Sequence, residues 1–348
     1  MSGKAIVAAE RGIAEIRDVG KPKLKEGYVL IKVTAVSLNP TDWKTLDWRA
    51  VPDLRIGVDF AGVVEELGPG VTKFKKGDRI AGLVNGGNEL EPDVGSFGEY
   101  VVARADLQIK TPDNITDEQA ATIGVSTITV AQGLYKILKL PWPTEPTKTP
   151  YPILIHGGST ATGIYGIQYA KASGLTVITT ASPHNFELLK SLGADAVFDY
   201  RSPTASAEIK ALTKNKLTLA WDCTGSGGEL VAHALSDTEP STYATIMAVD
   251  KELVQGINSK IDGPHFHIGY DVFGIPYQWF DGIAPAKQDE YEHAVRFMET
   301  ARELLQKGTI KPIRTIVNQG GSGLEGVLKG LEELKEGKIS AGKFVYTL

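Results

Sequence analysis

The chain has 348 residues, of which 42% are hydrophobic and 23% charged, and this excludes disordered and fibrous classes and predicts about two globular domains. The formal net charge of −5 argues against nucleic acid or an anionic membrane as the main partner. The single cysteine, Cys223, excludes an internal disulfide framework and a zinc site built from cysteines. Because we find neither a targeting segment nor an apolar run of transmembrane length, we expect a cytoplasmic protein.

The first third of the chain predicts short strands separated by turns. Strands of this length and spacing are typical of a small barrel or sandwich. The predicted strands are Lys4–Ala9, Tyr28–Ser37, Ala61–Leu67, Arg79–Val84 and Gly98–Ala103.

The pattern changes to helix after Pro112. Thr116 can cap a helix, with Gln119 three residues later as its capping-box partner. A second helix is predicted over Ser126–Leu138, followed by a proline-rich surface loop over Pro141–Pro146.

From Tyr151 onward, strands and helices alternate. This order predicts a doubly wound parallel sheet. The predicted strands are Ile153–His156, Thr176–Thr180, Ala196–Phe198 and Leu217–Asp222, and the helices between them are Gly163–Ser173, Asn185–Leu192 and Ala205–Leu212. Towards the end of the chain the pattern predicts helices over Asp289–Lys307 and Gly323–Glu336 and a last strand over Lys343–Thr347.

A glycine-rich turn separates the first strand of this alternating region from its helix. A turn of this kind lets backbone N–H groups reach a pyrophosphate, and the helix N-terminus adds partial positive charge. Gly157 and Gly163 fit the first and last glycines of a dinucleotide fingerprint, whereas Thr160 replaces the middle one. We therefore predict a dinucleotide site. The alternative is that these glycines serve only tight packing of helix on strand.

The end of the second strand of this region indicates which dinucleotide binds. NAD-specific sites carry an acidic residue there, but the segment 179–185 has none. Ser182, His184 and Asn185 can donate hydrogen bonds to a 2′-phosphate. At the end of the next strand, Tyr200 can cover the adenosine or bond the phosphate, and Arg201 adds positive charge. We therefore predict NADPH. The alternatives are a structural turn at Ser182 and a core aromatic at Tyr200.

The order of these parts resembles the medium-chain dehydrogenase/reductase superfamily from about Lys4 to Leu348. The motifs that carry the resemblance are Gly57–Val64, Gly68–Val71, Phe74–Ile80, Gly95–Tyr100 and Ser191–Asp195. The resemblance implies an α/β protein with a GroES-like, β-rich partial barrel and a Rossmann domain with a doubly wound parallel sheet. It implies a first catalytic part over residues 1–124, an NADPH-binding domain over 125–284 and a return to the catalytic domain over 285–348.

A narrower set of motifs looks like the fungal trans-acting enoyl reductases, which partner polyketide synthases lacking a working reductase domain. The motifs are Asn39–Lys44, Gly157–Thr162, Ser182–Phe186 and Phe198–Arg201. The resemblance implies secondary-metabolite biosynthesis, an enoyl thioester tethered to a carrier protein and a polyketide synthase partner. The cofactor contacts it implies are Thr41, Asp42, Trp43, Lys44, Ser159, Thr160, Ala161, Thr162, Ser182, Pro183, His184, Asn185, Tyr200, Val249, Asp250, Ile339 and Ser340.

The zinc alcohol dehydrogenases of the superfamily bind their metals through cysteine and histidine. The corresponding stretches here, Val36–Pro40 and Asn85–Leu90, contain neither. Cys223 is interpreted as a small buried residue, and His265 and His267 lack an identifiable third ligand. We therefore predict a reaction that needs no metal.

Conjugate reduction suits a site without zinc, because NADPH can deliver hydride to the β-carbon of an unsaturated thioester while the protein stabilises the enolate. By resemblance, Lys44 and Thr129 are the catalytic candidates, and Thr129 can contact the substrate. The aromatic-rich segment Ile261–Ala284, which includes Phe273, follows the last strand of the dinucleotide domain and is predicted to form a wall of the substrate cavity. The alternatives are a solvated surface lysine, an ordinary helix threonine and an aromatic satellite core over Ile261–Ala284. Prolines and glycines interrupt that last segment, which favours a monomer.

Two other functions remain open on the sequence. One is a free-standing NADPH reductase of small enals, quinones or aldehydes, and the other is a catalytically silent cofactor-binding protein.

Overall fold

The computed structural model describes residues 2–280 and 282–348, whose contacts divide into two compact units. The first unit comprises the chain up to Ile128 together with Tyr270–Gly308 and Pro312–Leu348, and the second comprises Thr129–Gly269 and Thr309–Lys311. The first unit is therefore discontinuous in sequence. None of the described helices is both long and apolar enough to cross a membrane.

The first unit begins with strands and short helices. Their bounds are β1 (Ser2–Glu10), β2 (Ile13–Gly20), β3 (Tyr28–Ser37), α1 (Pro40–Trp48), β4 (Asp59–Leu67), β5 (Arg79–Leu83), β6 (Tyr100–Arg104), β7 (Ile109–Lys110), α2 (Asp117–Ala120) and α3 (Gly124–Val130). The helix α3 continues as a π-helix over Ala131–Ile137.

The second unit is an alternation of strands and helices. Their bounds are β8 (Pro152–His156), α4 (Ala161–Ala172), β9 (Thr176–Ala181), α5 (Phe186–Ser191), β10 (Ala196–Asp199), α6 (Ala205–Leu212), β11 (Leu219–Asp222), α7 (Gly228–Ala234), β12 (Ser241–Thr245), α8 (Lys251–Ile257) and β13 (Ile261–Phe266). These strands form a parallel sheet in the order β10-β9-β8-β11-β12-β13. This is the doubly wound order of dinucleotide-binding domains.

The chain then returns to the first unit. The elements are β14 (Tyr277–Trp279), β15 (Gly282–Ala284), α9 (Gln288–Gln306), β16 (Thr315–Val317), α10 (Gly323–Lys335) and β17 (Lys343–Thr347). The returning strand β17 pairs antiparallel with β3, and the main sheet of the unit runs β16-β17-β3-β4-β5-β7, with β6 also on β3.

Alternating apolar residues of this sheet form the core of the first unit. Ile31, Phe60, Val101 and Phe344 are fully or almost fully buried there, and α10 covers them with Leu331. The predicted fold class is confirmed: the structure has a GroES-like β-rich unit and a Rossmann unit.

The capping box predicted at the start of α2 is confirmed. The Gln119 backbone N–H donates to the Thr116 hydroxyl at 3.3 Å, and the Thr116 backbone N–H donates to the Gln119 side chain at 3.1 Å.

The helix predicted over Ser126–Leu138 differs from the structure at both its start and its type. It begins at Gly124, because the Val125 backbone N–H donates to the Asp59 carboxylate at 2.8 Å. From Ala131 it widens into a π-helix. Within this π-helix, Gly133 packs against Trp221, and a Cβ there would lie 2.3 Å from the indole nitrogen.

Candidate active site

The glycine-rich turn of the second unit closes on itself through Thr160. The backbone at Gly157 has φ +80°, a conformation that favours glycine. The Thr160 hydroxyl donates to the Gly157 carbonyl at 2.8 Å and accepts from the Gly163 N–H at 2.9 Å, so Thr160 is the N-cap of α4. The first N–H groups of a helix have no acceptor within it, and here they lie in a turn whose Ser159 and Thr162 are only half-buried. This arrangement suits a pyrophosphate.

Two glycines of this turn lie so close to neighbouring atoms that a side chain would not fit. A Cβ on Gly158 would lie 2.0 Å from the Thr179 hydroxyl, which is buried and donates to the Ile155 carbonyl at 2.7 Å. A Cβ on Gly163 would lie 2.4 Å from the Gly157 carbonyl oxygen. The missing middle glycine is therefore no defect, because Thr160 takes its place with a capping hydroxyl.

The two residues predicted to select the dinucleotide follow neighbouring parallel strands. Ala181 at the end of β9 lies opposite Asp199 at the end of β10, so Ser182 and Tyr200 leave the sheet at the same edge. Tyr200 is 47% exposed, which is inconsistent with the core-aromatic alternative.

Arg201 differs from its expected role of adding charge at this edge. Its guanidinium forms two hydrogen bonds of 3.0 Å with the Asp199 carboxylate. That contact lowers the pKa of Asp199, so the carboxylate is ionised and offsets the charge of Arg201. The pair is nearly neutral.

Residues 182–185, which follow β9 at this edge of the sheet and form its rim together with Tyr200, differ in exposure. A short 3₁₀ turn covers Pro183–Asn185, in which Pro183 and His184 are exposed and Asn185 is buried. Ser182, which precedes the turn, is half-buried. Pro183 and His184 are therefore the accessible part of the predicted set.

A third loop at the same edge of the sheet was not predicted as part of the site. At the end of β11 the buried Asp222 carboxylate accepts from the backbone N–H groups of Thr224 (2.7 Å), Gly225 (2.9 Å) and Gly227 (2.9 Å), and from the Tyr243 hydroxyl (3.0 Å). The turn 223–227 is thus held by one side chain. An aspartate ending a buried strand before Thr-Gly-Ser-Gly was the available signal.

Two buried groups complete this edge. The His156 ring lies 2.8 Å from the Thr180 hydroxyl, and burial lowers the pKa of this histidine, so it is neutral. Cys223 is buried, and burial raises the pKa of its thiol well above its usual value. Cys223 therefore has the character expected of a small buried residue.

The predicted contacts after β12 include a helix cap. The Asp250 carboxylate accepts from the backbone N–H groups of Glu252 at 2.9 Å and Leu253 at 3.2 Å, at the start of α8. Val249 is half-buried, and a Cβ on Gly228 would lie 2.9 Å from it. The Asp250 side chain therefore has a structural partner, and its neighbour Val249 packs on α7.

In the first unit, the predicted catalytic Lys44 lies on α1. Its ammonium group is 5.7 Å from the ring centroid of Trp43 and 5.5 Å from that of Trp48. Burial lowers the pKa of Lys44, so this lysine is not the fully solvated surface residue of the alternative interpretation. Thr41, one turn earlier, forms a 2.5 Å hydrogen bond with the Tyr270 hydroxyl.

Asp42 is oriented away from solvent. It is 1% exposed, and its carboxylate accepts from the Asn39 backbone N–H at 2.7 Å. Burial, followed by the charge of Asp59, raises the pKa of Asp42 well above its usual value. A contact of Asp42 with a cofactor would therefore come from its backbone.

The predicted contacts Ile339 and Ser340 precede β17 in the first unit. Ile339 packs against the core of the unit, and the Ser340 carbonyl accepts from Arg314 Nη2 at 2.9 Å. Thr129, by contrast, lies in the second unit, on α3 immediately before the π-helix, and is 9% exposed.

The part of the predicted aromatic segment that starts at Tyr270 lies in the first unit and forms a cluster. Tyr270 lies 5.6 Å from Tyr277 and 6.1 Å from Trp279, measured between ring centroids. Phe273 is 5% exposed, and its carbonyl accepts from Arg104 Nη1 at 2.6 Å. Tyr270, Tyr277 and Trp279 therefore form a packed cluster, and Phe273 is a buried residue of the same segment.

No group of three His, Cys, Asp or Glu side chains in the described part of the chain is arranged to hold a metal ion. His265 lies 3.1 Å from Asp262. His267 accepts from the Trp221 indole N–H at 3.4 Å and pairs with Gln132 at 3.2 Å, and burial lowers its pKa to about 4. Zinc therefore has no fitting donor set among these residues.

Comparisons with known proteins agree with this architecture. Residues 25–113 match the model of the alcohol dehydrogenase GroES-like domain, and residues 161–260 match that of the zinc-binding dehydrogenases. An alcohol dehydrogenase superfamily protein from Novosphingobium aromaticivorans superposes with a TM-score of 0.79 at 21% identity, covering 99% of each chain. The CurK enoyl reductase superposes with a TM-score of 0.77 at 18% identity, also over 99% of each chain.

Among proteins of known sequence, the similarity is greater. A trans-enoyl reductase of Alternaria alternata is 37% identical over 100% of this chain and 99% of its own, and one of Aspergillus sclerotiorum is 39% identical over 99% of each. A third, from Cochliobolus carbonum, is 52% identical over 58% of this chain and 68% of its own.

The fold and the phosphate turn define a nicotinamide-dependent oxidoreductase of the medium-chain dehydrogenase/reductase superfamily. Within that superfamily, the chain belongs to the trans-enoyl reductases.

Proposed function

We propose that this protein is an NADPH-dependent trans-acting enoyl reductase that acts on a polyketide thioester carried by a partner synthase. Bound at the phosphate turn of Ser159–Thr162 and beside Ser182 and Tyr200, NADPH would supply a hydride to the β-carbon of the enoyl thioester, and solvent water would supply the proton at the α-carbon. The observation that carries the proposal is the sequence similarity to trans-enoyl reductases over the whole chain, combined with an intact phosphate turn.

In this proposal Lys44 orients the cofactor or polarises the thioester carbonyl, and Thr129 bonds the nicotinamide ribose or the same carbonyl. Both roles supply hydrogen bonds where negative charge develops on the enolate oxygen. The lowered pKa of Lys44 reflects a group that is partly withdrawn from water, where such a bond is stronger. The proposal needs no metal, and the stretches that carry the zinc ligands in the zinc alcohol dehydrogenases hold neither cysteine nor histidine here.

The other proposed cofactor contacts come from residues of both units. The pyrophosphate binds at Ser159, Thr160, Ala161 and Thr162, and the 2′-phosphate binds at the rim that holds Ser182 and Tyr200. The other proposed contacts are Thr41–Lys44, Pro183–Asn185, Val249, Asp250, Ile339 and Ser340, with Phe273 facing the substrate. We further propose that the protein is a cytoplasmic monomer, because Pro264 and Gly263 interrupt regular pairing at the edge strand β13.

Replacing Ser182 by Asp tests the preference for NADPH. A carboxylate at the end of β9 would repel the 2′-phosphate, so we expect the Kd for NADPH to rise about tenfold or more while that for NADH changes little. Ser191→Asp adds the same charge at the end of α5, at the opposite edge of the sheet, and should leave both constants unchanged. Titration by cofactor fluorescence measures both. Tighter binding of NADH than of NADPH by the wild-type protein would contradict the preference.

The proposed activity is tested by an NADPH oxidation screen. Enoyl thioesters of carrier protein or pantetheine are compared with enals, quinones and aldehydes at equal concentration. We expect oxidation with enoyl thioesters. Oxidation only with aldehydes or quinones would identify a general reductase instead, and cofactor binding without any oxidation would identify a silent binding protein.

A further inference from the structure

A buried ion pair lies beneath the first unit's part of the candidate site. The Lys343 ammonium donates to the Asp59 carboxylate at 2.6 Å, and the two residues are 3% and 0% exposed. The ammonium also donates to the Asn39 side-chain oxygen at 2.8 Å, while the Asn39 amide donates to Asp59 at 2.9 Å. The other carboxylate oxygen of Asp59 accepts from the Val125 backbone N–H at 2.8 Å.

These hydrogen bonds involve residues at the beginnings of two helices. Asn39 immediately precedes α1, and its backbone N–H binds Asp42 in the first turn of that helix. Val125 lies in the first turn of α3. A Cβ on Gly124 would lie 2.5 Å from the Asp59 carboxylate, so α3 starts as close to Asp59 as its backbone allows. The helix α1 carries Lys44 and α3 carries Thr129.

Stability alone does not account for this arrangement. The free energy lost when two charges are removed from water is about as large as the free energy gained from their attraction. A protein with a well-packed apolar pair of similar volume in their place is often equally stable. What the ion pair adds is direction, because the Asp59 carboxylate accepts from Asn39, the N-cap of α1, and from Val125 in the first turn of α3. A ring of fixed donors and acceptors therefore sets where α1 and α3 begin.

We propose that Asp59 and Lys343 are positioning residues that set the place of α1, and through α1 that of Lys44. The inference rests on the proposed function, since it assigns a purpose to that side chain. Neither residue touches the reacting atoms. They act on turnover only through the helix that carries Lys44.

The first experiment is a double-mutant cycle between Lys343 and Lys44. Lys343→Met alone should lower kcat about tenfold or more, because a misplaced catalytic group loses its alignment. In the Lys44→Met background, Lys343→Met should lower kcat by less than about threefold, because the effects of two residues that act through one group are not additive. The Kd for NADPH and the thermal midpoint are measured on all four proteins.

The outcomes separate this inference from the proposed function. A wild-type kcat in Lys44→Met would overturn the role of Lys44 and this inference with it. If Lys44→Met is slow and Lys343→Met lowers kcat in that background by as much as it does in the wild type, only this inference is overturned.

A second variant covers the case in which Lys343→Met does not fold. Asp59→Asn/Lys343→Met leaves no unpaired charge, and we expect it to fold with kcat still lowered about tenfold or more, because Asn39 and Val125 lose their shared carboxylate. A wild-type kcat in this variant would overturn the inference.

Asp78→Asn is the matched control. The buried Asp78 accepts from Lys110 and from the Lys75 backbone within the same unit, and neither partner belongs to α1 or α3. It should lower the thermal midpoint and leave kcat unchanged. An equal loss of kcat in Asp78→Asn would show that any buried carboxylate of this unit matters, which would also overturn the inference.

Discussion

Lys44→Met should lower kcat for enoyl thioester reduction by about 100-fold, which is the usual cost of removing one donor from a developing oxyanion. Methionine retains an apolar stem against Trp43 and Trp48 but removes the ammonium group. Because the phosphate turn lies in the other unit, the Kd for NADPH should change much less than kcat. Steady-state kinetics and cofactor titration on the same preparation measure the two effects.

Lys335 provides the control for Lys44→Met. Its ammonium group lies 6.0 Å from the ring centroid of Trp43 and pairs with Asp47 on α1. Lys335→Met therefore removes a positive charge from the same neighbourhood and should leave kcat unchanged. If Lys44→Met turned over at the wild-type rate, Lys44 would have no place in the active site.

Gly158→Ala should weaken NADPH binding about tenfold or more and destabilise the folded state by about 1–3 kcal/mol, the usual cost of overpacking. The added methyl carbon would lie 2.0 Å from the Thr179 hydroxyl, so the phosphate turn or β9 has to move. Moving the turn changes the direction of its N–H groups, on which the pyrophosphate contact depends. Cofactor titration and chemical denaturation measure the two losses.

Two further variants isolate the cause in Gly158→Ala. Gly256→Ala makes the same change on α8, where a Cβ meets nothing within 4 Å, and should cost neither binding nor stability. Adding Thr179→Ala to Gly158→Ala removes the clashing hydroxyl and should recover part of the affinity. Normal NADPH affinity in Gly158→Ala would contradict the position assigned to the pyrophosphate.

The second unit was the most predictable part of this chain. Its strands are short, apolar and separated by capped helices, so the alternation from Ile153 to Asp222 indicates a parallel sheet without knowledge of distant contacts. The phosphate turn is equally local, because Thr160 binds groups only three residues away.

The features that sequence reasoning missed depend on distant partners. Asp59 and Lys343 are 284 residues apart, and nothing local to either indicates that they pair. The contact between Gly133 in the π-helix and Trp221 likewise joins residues that are far apart in the sequence. The helix α1 was missed because Asn39–Lys44 was interpreted as a motif, although Pro40 stands at a helix start, where proline is favoured.

The arrangement of Arg201 shows a different limit. A positive residue after a strand that ends at a cofactor edge favours a phosphate contact, and the sequence was interpreted in this way. Asp199, two residues earlier, is an equally good and much nearer partner, and the structure pairs the two. Local competition of this kind is visible in the sequence only when both partners are considered together.

The central claim is hydride transfer from NADPH to the β-carbon of an enoyl thioester. It is tested most directly with NADPH that carries deuterium at the transferred position of C4, followed by mass spectrometry and NMR of the product. We predict a saturated thioester with one deuterium on its β-carbon and a solvent-derived proton on its α-carbon. Deuterium on a former carbonyl carbon, or none in any product, would contradict the account.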